Sequence, residues 1–154
     1  MYKQIVVGTD GSAGANMAVD AAIDLARLSG ATLHVVNAHK LMTAYQLATA
    51  ADVGIAPVDV SATNDQIVAD GKRLCGEVVE RAKQAGVPAE SHMVGDDPAD
   101  ALMRVVEQTG ADLLVVGNRG MTGARRFVLG SVPNKVSHHC QTNLLIVDTS
   151  EARA

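Results

Sequence analysis

The chain has 154 residues, 47% of them apolar and 2% aromatic, and a formal net charge of −4. Proteins that bind nucleic-acid backbones usually carry positive charge, and single-strand binders use aromatic platforms, so both classes are excluded. The N-terminal apolar run is too short for a signal peptide and no later run approaches a membrane span, so we expect a cytoplasmic protein. The length fits one domain, residues 1–148, with a short tail at 149–154.

The N-terminal pattern predicts a strand, a helix and a second strand. Residues 5–7 are branched and apolar, as in a buried strand, and the alanine-rich pattern over residues 15–28 predicts a helix. Ser12 is placed to cap the start of that helix, and Gly30 to close its end. Residues 32–36 predict the second strand.

A stretch of more than twenty residues, between Ala38 and Ser61, comes next. Structureless loops of this length are uncommon inside compact domains and often act as lids or contact partners. Residues 41–51 could form a short helix whose apolar side chains cover a base or a second subunit. A flexible insertion explains the same pattern equally well.

The remainder of the chain alternates helices with short apolar strands. It predicts a helix over residues 62–85, a strand over 90–94, a helix beginning at Asp97-Pro98, a strand over 113–116, a helix from Ser131 to His139 and a last strand, Asn143 to Val147. Five strands alternating with helices indicate a single-domain α/β fold, a doubly wound parallel sheet with right-handed crossovers.

A glycine-rich loop follows the fourth strand. It contains Gly117, Gly120 and Gly123, and no Asp or Glu occurs from Leu113 to Val147, whereas Arg119, Arg125, Arg126 and Lys135 do. Glycines let backbone amides approach an anion and can take positive φ. A helix beginning at Ser131 adds N–H groups, and the Ser131 hydroxyl can either cap that helix or bond a ligand oxygen, while Pro133 suits the first turn. The loop therefore predicts a phosphate site, although an ordinary strand-loop-helix connection would also use glycines.

The first predicted strand also ends in a glycine, within the sequence Gly8-Thr9-Asp10. In doubly wound sheets, ligands bind beyond the carboxyl ends of the strands, where the strand order reverses. If the first and fourth strands were neighbours, both ends would line one crevice, and Asp10 could bind ribose hydroxyls or an adenine amino group. The alternative is that Asp10 is a turn residue or a helix N-cap.

The last strand, Asn143 to Val147, contains no proline or lysine. Exposed edges of that kind are avoided because they pair with other chains. If this strand lies at the sheet edge, pairing with its own copy about a twofold axis would give a homodimer.

The sequence gives little support for other nucleotide-binding motifs, for a hydrolase or for a metal site. The sequence contains neither the Walker spacing GxxxxGK[ST] nor GxGxxG, and no nucleophile elbow GxSxG. The five histidines do not assemble a metal site by spacing, and Cys75 and Cys140 match no metal or redox motif. We therefore expect satisfied or solvated histidines and free thiols.

The spacing Gly117-x2-Gly120-x9-Gly130-Ser131 resembles the ATP-binding signature of the universal stress protein family. The N-terminal IVVGTDGS, the ADLLVVG strand, LGSVPNKV and the closing LLIV resemble that family in the same order. The resemblance covers nearly the whole chain. It implies a five-stranded parallel sheet in the order 3-2-1-4-5 and a homodimer through the last strand.

The resemblance also implies a set of binding residues. Thr9 and Asp10 are implied near the adenosine, with Val36 or Ala38 beside the base, and Gly8 is included among the binding residues. Those implied near the phosphates are Val116, Gly117, Asn118, Arg119, Gly120, Gly130, Ser131, Val132 and Pro133, of which Arg119 rests on its charge and placement.

Three functions are compatible with these features. The first is a regulatory protein of the stress response that senses or buffers ATP, with Mg²⁺ accompanying the triphosphate and an unidentified protein partner. The second is a slow ATPase or phosphoryl transferase, which lacks a Walker lysine and a clear base. The third is a protein that binds cyclic AMP, or another monophosphate such as AMP, in the same cleft.

Overall fold

A computed structural model describes residues 1–41, 60–118 and 129–150. The strands are β1 (Gln4–Gly8), β2 (Thr32–Ala38), β3 (Ala89–Val94), β4 (Leu113–Gly117) and β5 (Asn143–Val147). The helices of these ranges are α1 (Ala13–Ser29), α2 (Val60–Gln84), α3 (Pro98–Thr109) and α4 (Ser131–His139). Within these ranges, no helix combines the length and the apolar composition needed to cross a bilayer.

The five strands form one parallel sheet in the order β3-β2-β1-β4-β5. The predicted α/β fold with the order 3-2-1-4-5 is therefore confirmed. The chain adds β2 and β3 on one side of β1 and β4 and β5 on the other, so the order reverses between β1 and β4. These two strands are paired in register, with Val7 opposite Val115.

Both faces of the sheet are covered by helices, which explains why the central strands are apolar without alternation. One core cluster contains Ile5 and Val7 of β1, and α1 and α2 pack on that face. A second cluster contains Val6 of β1, and α3 and α4 pack on the opposite face. The low aromatic content is matched by cores built from valine, leucine, isoleucine and alanine.

The helix boundaries follow the predicted caps closely. Ser12 accepts a hydrogen bond from the Ala15 N–H and begins α1, and Gly30 ends it with a φ of 69° in the left-handed region. Asp97 caps α3 through the Ala99 N–H, with Pro98 in the first turn. The helix predicted over residues 62–85 begins two residues earlier, at Val60. Our predictions for residues 42–59 lie outside the described residues.

Candidate functional site

The candidate site is the crevice beyond the carboxyl ends of β1 and β4. Because these strands are neighbours, Gly8 and Gly117 end side by side at the point where the strand order reverses. In doubly wound sheets this point is where ligands bind. The structure therefore brings together the two strand ends that the sequence singled out.

The turn after β1 is closed by its own hydrogen bonds. The Thr9 N–H donates to Val36 O over 2.9 Å, and Thr9 O accepts from Asn37 Nδ2 over 2.8 Å, so this buried residue is fixed to β2. Asp10 Oδ1 accepts the Ser12 N–H over 2.9 Å, which makes Asp10 a turn residue. The side chain of Asp10 is exposed, and its other carboxylate oxygen has no partner among the described residues. One oxygen thus shapes the turn, and the exposed carboxylate keeps a second acceptor.

Gly11 completes this turn with a φ of 77°, a conformation that other residues rarely adopt. Its N–H donates to Thr9 Oγ1 over 3.3 Å, and an added Cβ would lie 2.9 Å from Leu74 Cδ2. With Ser12 capping α1, the N–H groups of Gly11, Ser12 and Ala15 all have side-chain acceptors.

Asn118 joins the end of β4 to two other segments. Its N–H donates to Val147 O over 2.8 Å, and its carbonyl accepts the Gly130 N–H over 3.0 Å. Its side-chain amide donates to Asp148 Oδ1 and accepts from the Thr149 hydroxyl, over 2.8 and 2.6 Å. Asn118 therefore fixes the start of α4 against the end of β5, a positioning role that sequence spacing did not reveal.

The N-terminus of α4 differs from those of α1 and α3 because no side chain of the described ranges caps it. The N-cap is Gly130, with φ −59° and ψ 165°, so the cap that we considered for the Ser131 hydroxyl is not formed. Ser131 is exposed and Val132 is half-buried, and their N–H groups have no acceptor among the described residues. Pro133 is buried and has no N–H. Two adjacent amide donors therefore lie at the positive end of a helix beside the crevice.

Neither Gly117 nor Gly130 uses the positive φ that we invoked for the loop glycines. Gly117 continues the sheet opposite Val147, and Gly130 has an extended ψ. The reason for glycine at these two positions is therefore not conformational. Arg119 and Gly120 lie outside the residues that the structure describes, as do Arg125 and Arg126.

The apolar residues predicted near the nucleotide lie at different depths. Val36 and Val116 are almost fully buried in the cluster under α3 and α4. Ala38, at the end of β2, is half-buried and packs against the same cluster. Of these three, Ala38 is the residue with surface left at the carboxyl edge of the sheet.

Lys135 of α4 pairs with two carboxylates at the start of α3. Lys135 Nζ lies 2.6 Å from Asp100 Oδ2 and 3.5 Å from Asp97 Oδ1, and the Asp100 hydrogen bond raises the pKa of Lys135. Burial raises the pKa of Asp97, but the Ala99 N–H and the Lys135 and Lys40 charges outweigh it and lower this pKa overall. Lys135, one of the cations noted between Leu113 and Val147, therefore forms ion pairs that join α4 to the start of α3.

The structure brings two of the histidines together, which the sequence spacing did not indicate. His34 and His92 are 58 residues apart in sequence, but β2 and β3 are paired, and His34 Nδ1 lies 3.0 Å from His92 Nε2. Glu90 lies beside them. Linear spacing could not find this cluster because strand register creates it.

The sequence profile described as the universal stress protein family matches residues 1–148. The chain belongs to the universal stress protein family. It is 36% identical to universal stress protein Rv1636 of Mycobacterium tuberculosis over 159 residues, covering 97% of this chain and 98% of that protein. It is 28% identical to universal stress protein YxiE of Bacillus subtilis over 147 residues, covering 96% and 99%.

Solved structures of universal stress proteins share this fold. A crystal structure of a universal stress protein in complex with cAMP is 35% identical, with a TM-score of 0.69 and coverage of 97% of this chain and 98% of that chain. UspA from Lactobacillus plantarum has a TM-score of 0.78 at 20% identity, covering 95% and 97%, a likeness in fold alone.

Proposed function

We propose that this universal stress protein is a regulatory protein that binds an adenine nucleotide in the crevice between the ends of β1 and β4. The observation that carries the proposal is the N-terminus of α4. There, the Ser131 and Val132 N–H groups lack acceptors among the described residues, and the Ser131 side chain is exposed. A phosphate group would supply the missing acceptors.

The energies favour amide donors over the helix dipole as the main source of affinity. A hydrogen bond to a charged group contributes roughly 1.5 to 3 kcal/mol, whereas a helix dipole contributes about 0.3 to 1 kcal/mol near the surface. Two N–H groups and the Ser131 hydroxyl therefore provide most of the attraction. Arg119 and Gly120 complete the phosphate site in this proposal.

The adenosine would lie toward β1 and β2. The exposed carboxylate oxygen of Asp10 is suited to accept hydrogen bonds from ribose hydroxyls. Thr9 is held by β2 and fixes the turn that carries Asp10, and Ala38 offers apolar surface at the end of β2. Asn118, whose polar groups already have protein partners, would position the loop and the helix around the phosphates.

ATP is the first candidate ligand, and cyclic AMP is the second. The phosphate-loop spacing favours a polyphosphate, and a triphosphate in this acidic protein would bring Mg²⁺ with it. The crystal structure of a 35% identical relative with cAMP favours a monophosphate. Binding would let the protein sense or buffer the nucleotide in the cytoplasm and signal through its dimer state or a protein partner.

Isothermal titration calorimetry on the purified protein tests this proposal with ATP, AMP and cAMP, each with Mg²⁺ and with a chelator. We expect one saturable site per chain, and tighter ATP binding with Mg²⁺ than with chelator. Cyclic AMP binding that ATP cannot displace would select the second candidate. Absence of heat and of competition for all three ligands would refute nucleotide binding.

Two variants separate the hydroxyl from the amide at Ser131. Ser131→Ala removes the hydroxyl alone, whereas Ser131→Pro also removes the N–H, and proline is tolerated at the first position of a helix. The extended ψ of Gly130 is compatible with a following proline. We expect Ser131→Pro to weaken binding more than Ser131→Ala, with Ser137→Ala, an exposed position of the same helix, as the unaffected control.

We also propose that β5 forms a homodimer. In a parallel strand, the N–H and C=O of one residue point to the same side, and successive residues alternate between the two sides. Val147 O faces β4, so the N–H groups of Leu144 and Ile146 point away from β4. Hydrogen exchange at Leu144 and Ile146 should slow as protein concentration rises, whereas exchange at Leu145 and Val147 should not. A monomer in sedimentation equilibrium at micromolar concentration would contradict this arrangement.

A further inference from the structure

Three metal-ligating side chains lie together on the β2–β3 side of the sheet. His34 is opposite Glu90 in the strand register, and His92 follows Glu90 by two residues. Side chains alternate between the two faces of a strand, so all three project from the same face. One donor atom from each of the three lies within 4.8 Å of the other two.

The donor atoms have nearly the spacing that a bound metal ion requires. His34 Nδ1 lies 3.0 Å from His92 Nε2 and 3.9 Å from Glu90 Oε2. Ligand atoms in tetrahedral coordination at zinc-like bond lengths lie roughly 3.3 Å apart. The two histidine nitrogens are already close to that spacing, and the exposed Glu90 carboxylate would have to move toward them to complete the coordination.

A fourth residue orients the buried histidine for this role. His34 Nε2 lies 2.7 Å from Gln4 Oε1, and because an amide oxygen only accepts, Nε2 carries the proton. In the neutral ring, Nδ1 then carries the lone pair, which faces His92 and Glu90. Ligating histidines in metalloproteins are oriented by the same kind of hydrogen bond from the other ring nitrogen.

The surroundings of His34 and of Glu90 differ in burial. Burial and the nearby His92 lower the pKa of His34, against the opposing effect of Glu90. Glu90, in contrast, has a side chain that is 68% exposed, so water can reach the open side of the cluster.

We propose that His34, His92 and Glu90 form a binding site for a divalent transition metal such as Zn²⁺, with a remaining coordination position open to water. Two imidazole nitrogens favour zinc-class ions over Mg²⁺ or Ca²⁺, which prefer oxygen ligands. The ion would take the place of the proton in the hydrogen bond between His92 Nε2 and His34 Nδ1. The site belongs to β2 and β3 and is independent of the proposed nucleotide crevice at β1 and β4.

Zinc titration of the chelator-treated full-length protein, without nucleotide, tests the site. We expect one Zn²⁺ per chain and a higher melting temperature with zinc. His92→Ala and Glu90→Gln change half-buried and exposed residues, so they should fold and should each weaken binding tenfold or more. Gln4→Ala should weaken it by roughly tenfold to a hundredfold, the range found for residues that orient metal ligands.

The matched control is the double variant His138→Ala, His139→Ala, which removes two exposed histidines of α4 and should bind zinc normally. Cobalt(II) provides a second readout, because a tetrahedral nitrogen and oxygen site gives intense visible bands. Zinc binding that survives in His92→Ala and Glu90→Gln, or that is lost in the α4 control, would overturn the proposal. So would the absence of any saturable binding.

Discussion

The connections after β1 and after β4 both join a central strand to a helix, but the starts of the two helices differ in their capping. Each leaves a central strand at a glycine and leads to a helix at the same edge of the sheet. In the first turn, Asp10 and Ser12 accept N–H groups of the turn and of the first turn of α1. In the second, Gly130 offers no side chain, and Ser131 and Val132 keep donors without acceptors among the described residues.

The helices that follow are also anchored differently. The helix α1 has 17 residues, and five of them are buried in the core. The helix α4 has 9 residues, of which Pro133 and Val136 are buried. The helix of the first unit is thus capped by a side chain, Ser12, whereas the start of α4 has no side-chain cap among the described residues. We therefore propose that the difference in capping, and not the shared architecture, decides which strand end would bind phosphate.

The largest expected effect comes from placing a negative charge at the uncapped helix. The carboxylate introduced by Ser131→Asp would occupy the anion position and repel phosphate. We therefore expect binding of ATP or cAMP to weaken at least about a hundredfold, which corresponds to the loss of two hydrogen bonds of about 1.4 kcal/mol each. The same charge should raise the free energy of unfolding by about 0.3 to 1 kcal/mol. Calorimetry and urea denaturation measure the two effects.

The control for that variant is Ser137→Asp, the same substitution toward the other end of α4. There the helix dipole disfavours negative charge, so stability should fall slightly while nucleotide binding is retained. If Ser131→Asp binds as well as the unmodified protein, the anion site is not at this helix.

A second effect concerns the two cysteines, one in the core on the α1 side and one at the end of α4. Burial raises the pKa of the Cys75 thiol to about 11 from an ordinary value of 9.0. Between pH 9 and pH 11 the unfolded chain loses this proton before the folded one, so the stability that Cys75 contributes below pH 9 is lost, by up to roughly 3 kcal/mol.

Denaturation of the protein and of Cys75→Ala across that pH range isolates this contribution, because other alkaline titrations are common to both. The stability of the unmodified protein should fall more steeply. Cys140, which is half-buried, should react with a thiol reagent in the native protein while Cys75 does not. Equal reactivity of the two thiols would contradict the burial of Cys75.

The smallest expected effect is on the caps themselves. Ser12→Ala removes the acceptor of the Ala15 N–H and should lower the free energy of unfolding by about 1 kcal/mol. Ser131→Ala removes no cap and should change it by less than about 0.5 kcal/mol. Chemical denaturation of both variants compares the two turns directly, and equal losses of stability would show that α4 is capped by Ser131 after all.

Local sequence signals were sufficient for the elements that frame the site. Apolar runs ending in Gly8 and Gly117 predicted the two strand ends, and the boundaries Ser131 and His139 of α4 agree with the structure. The neighbouring positions of β1 and β4 came from the strand order that the family resemblance implied. These features depend on hydrophobic pattern and turn residues, which act over a few positions.

Contacts between distant segments were not predictable in this way. Asn118 bonds to Asp148 and Thr149, thirty residues later, and nothing in its own neighbourhood indicates that its side chain is engaged. The pairing of His34 with His92 depends on the register of β2 and β3, which a single sequence leaves open. Position along the chain therefore predicted the strand ends, but not which side chains remain available there.

Amide chemical shifts test the central claim most directly, because they report each donor separately. On titration with ATP or cAMP, we predict the largest shifts at the Ser131 and Val132 N–H groups, with the Ala15 N–H, already bonded to Ser12, nearly unmoved. Shifts that saturate at other residues while Ser131 and Val132 stay in place would contradict phosphate binding at the N-terminus of α4.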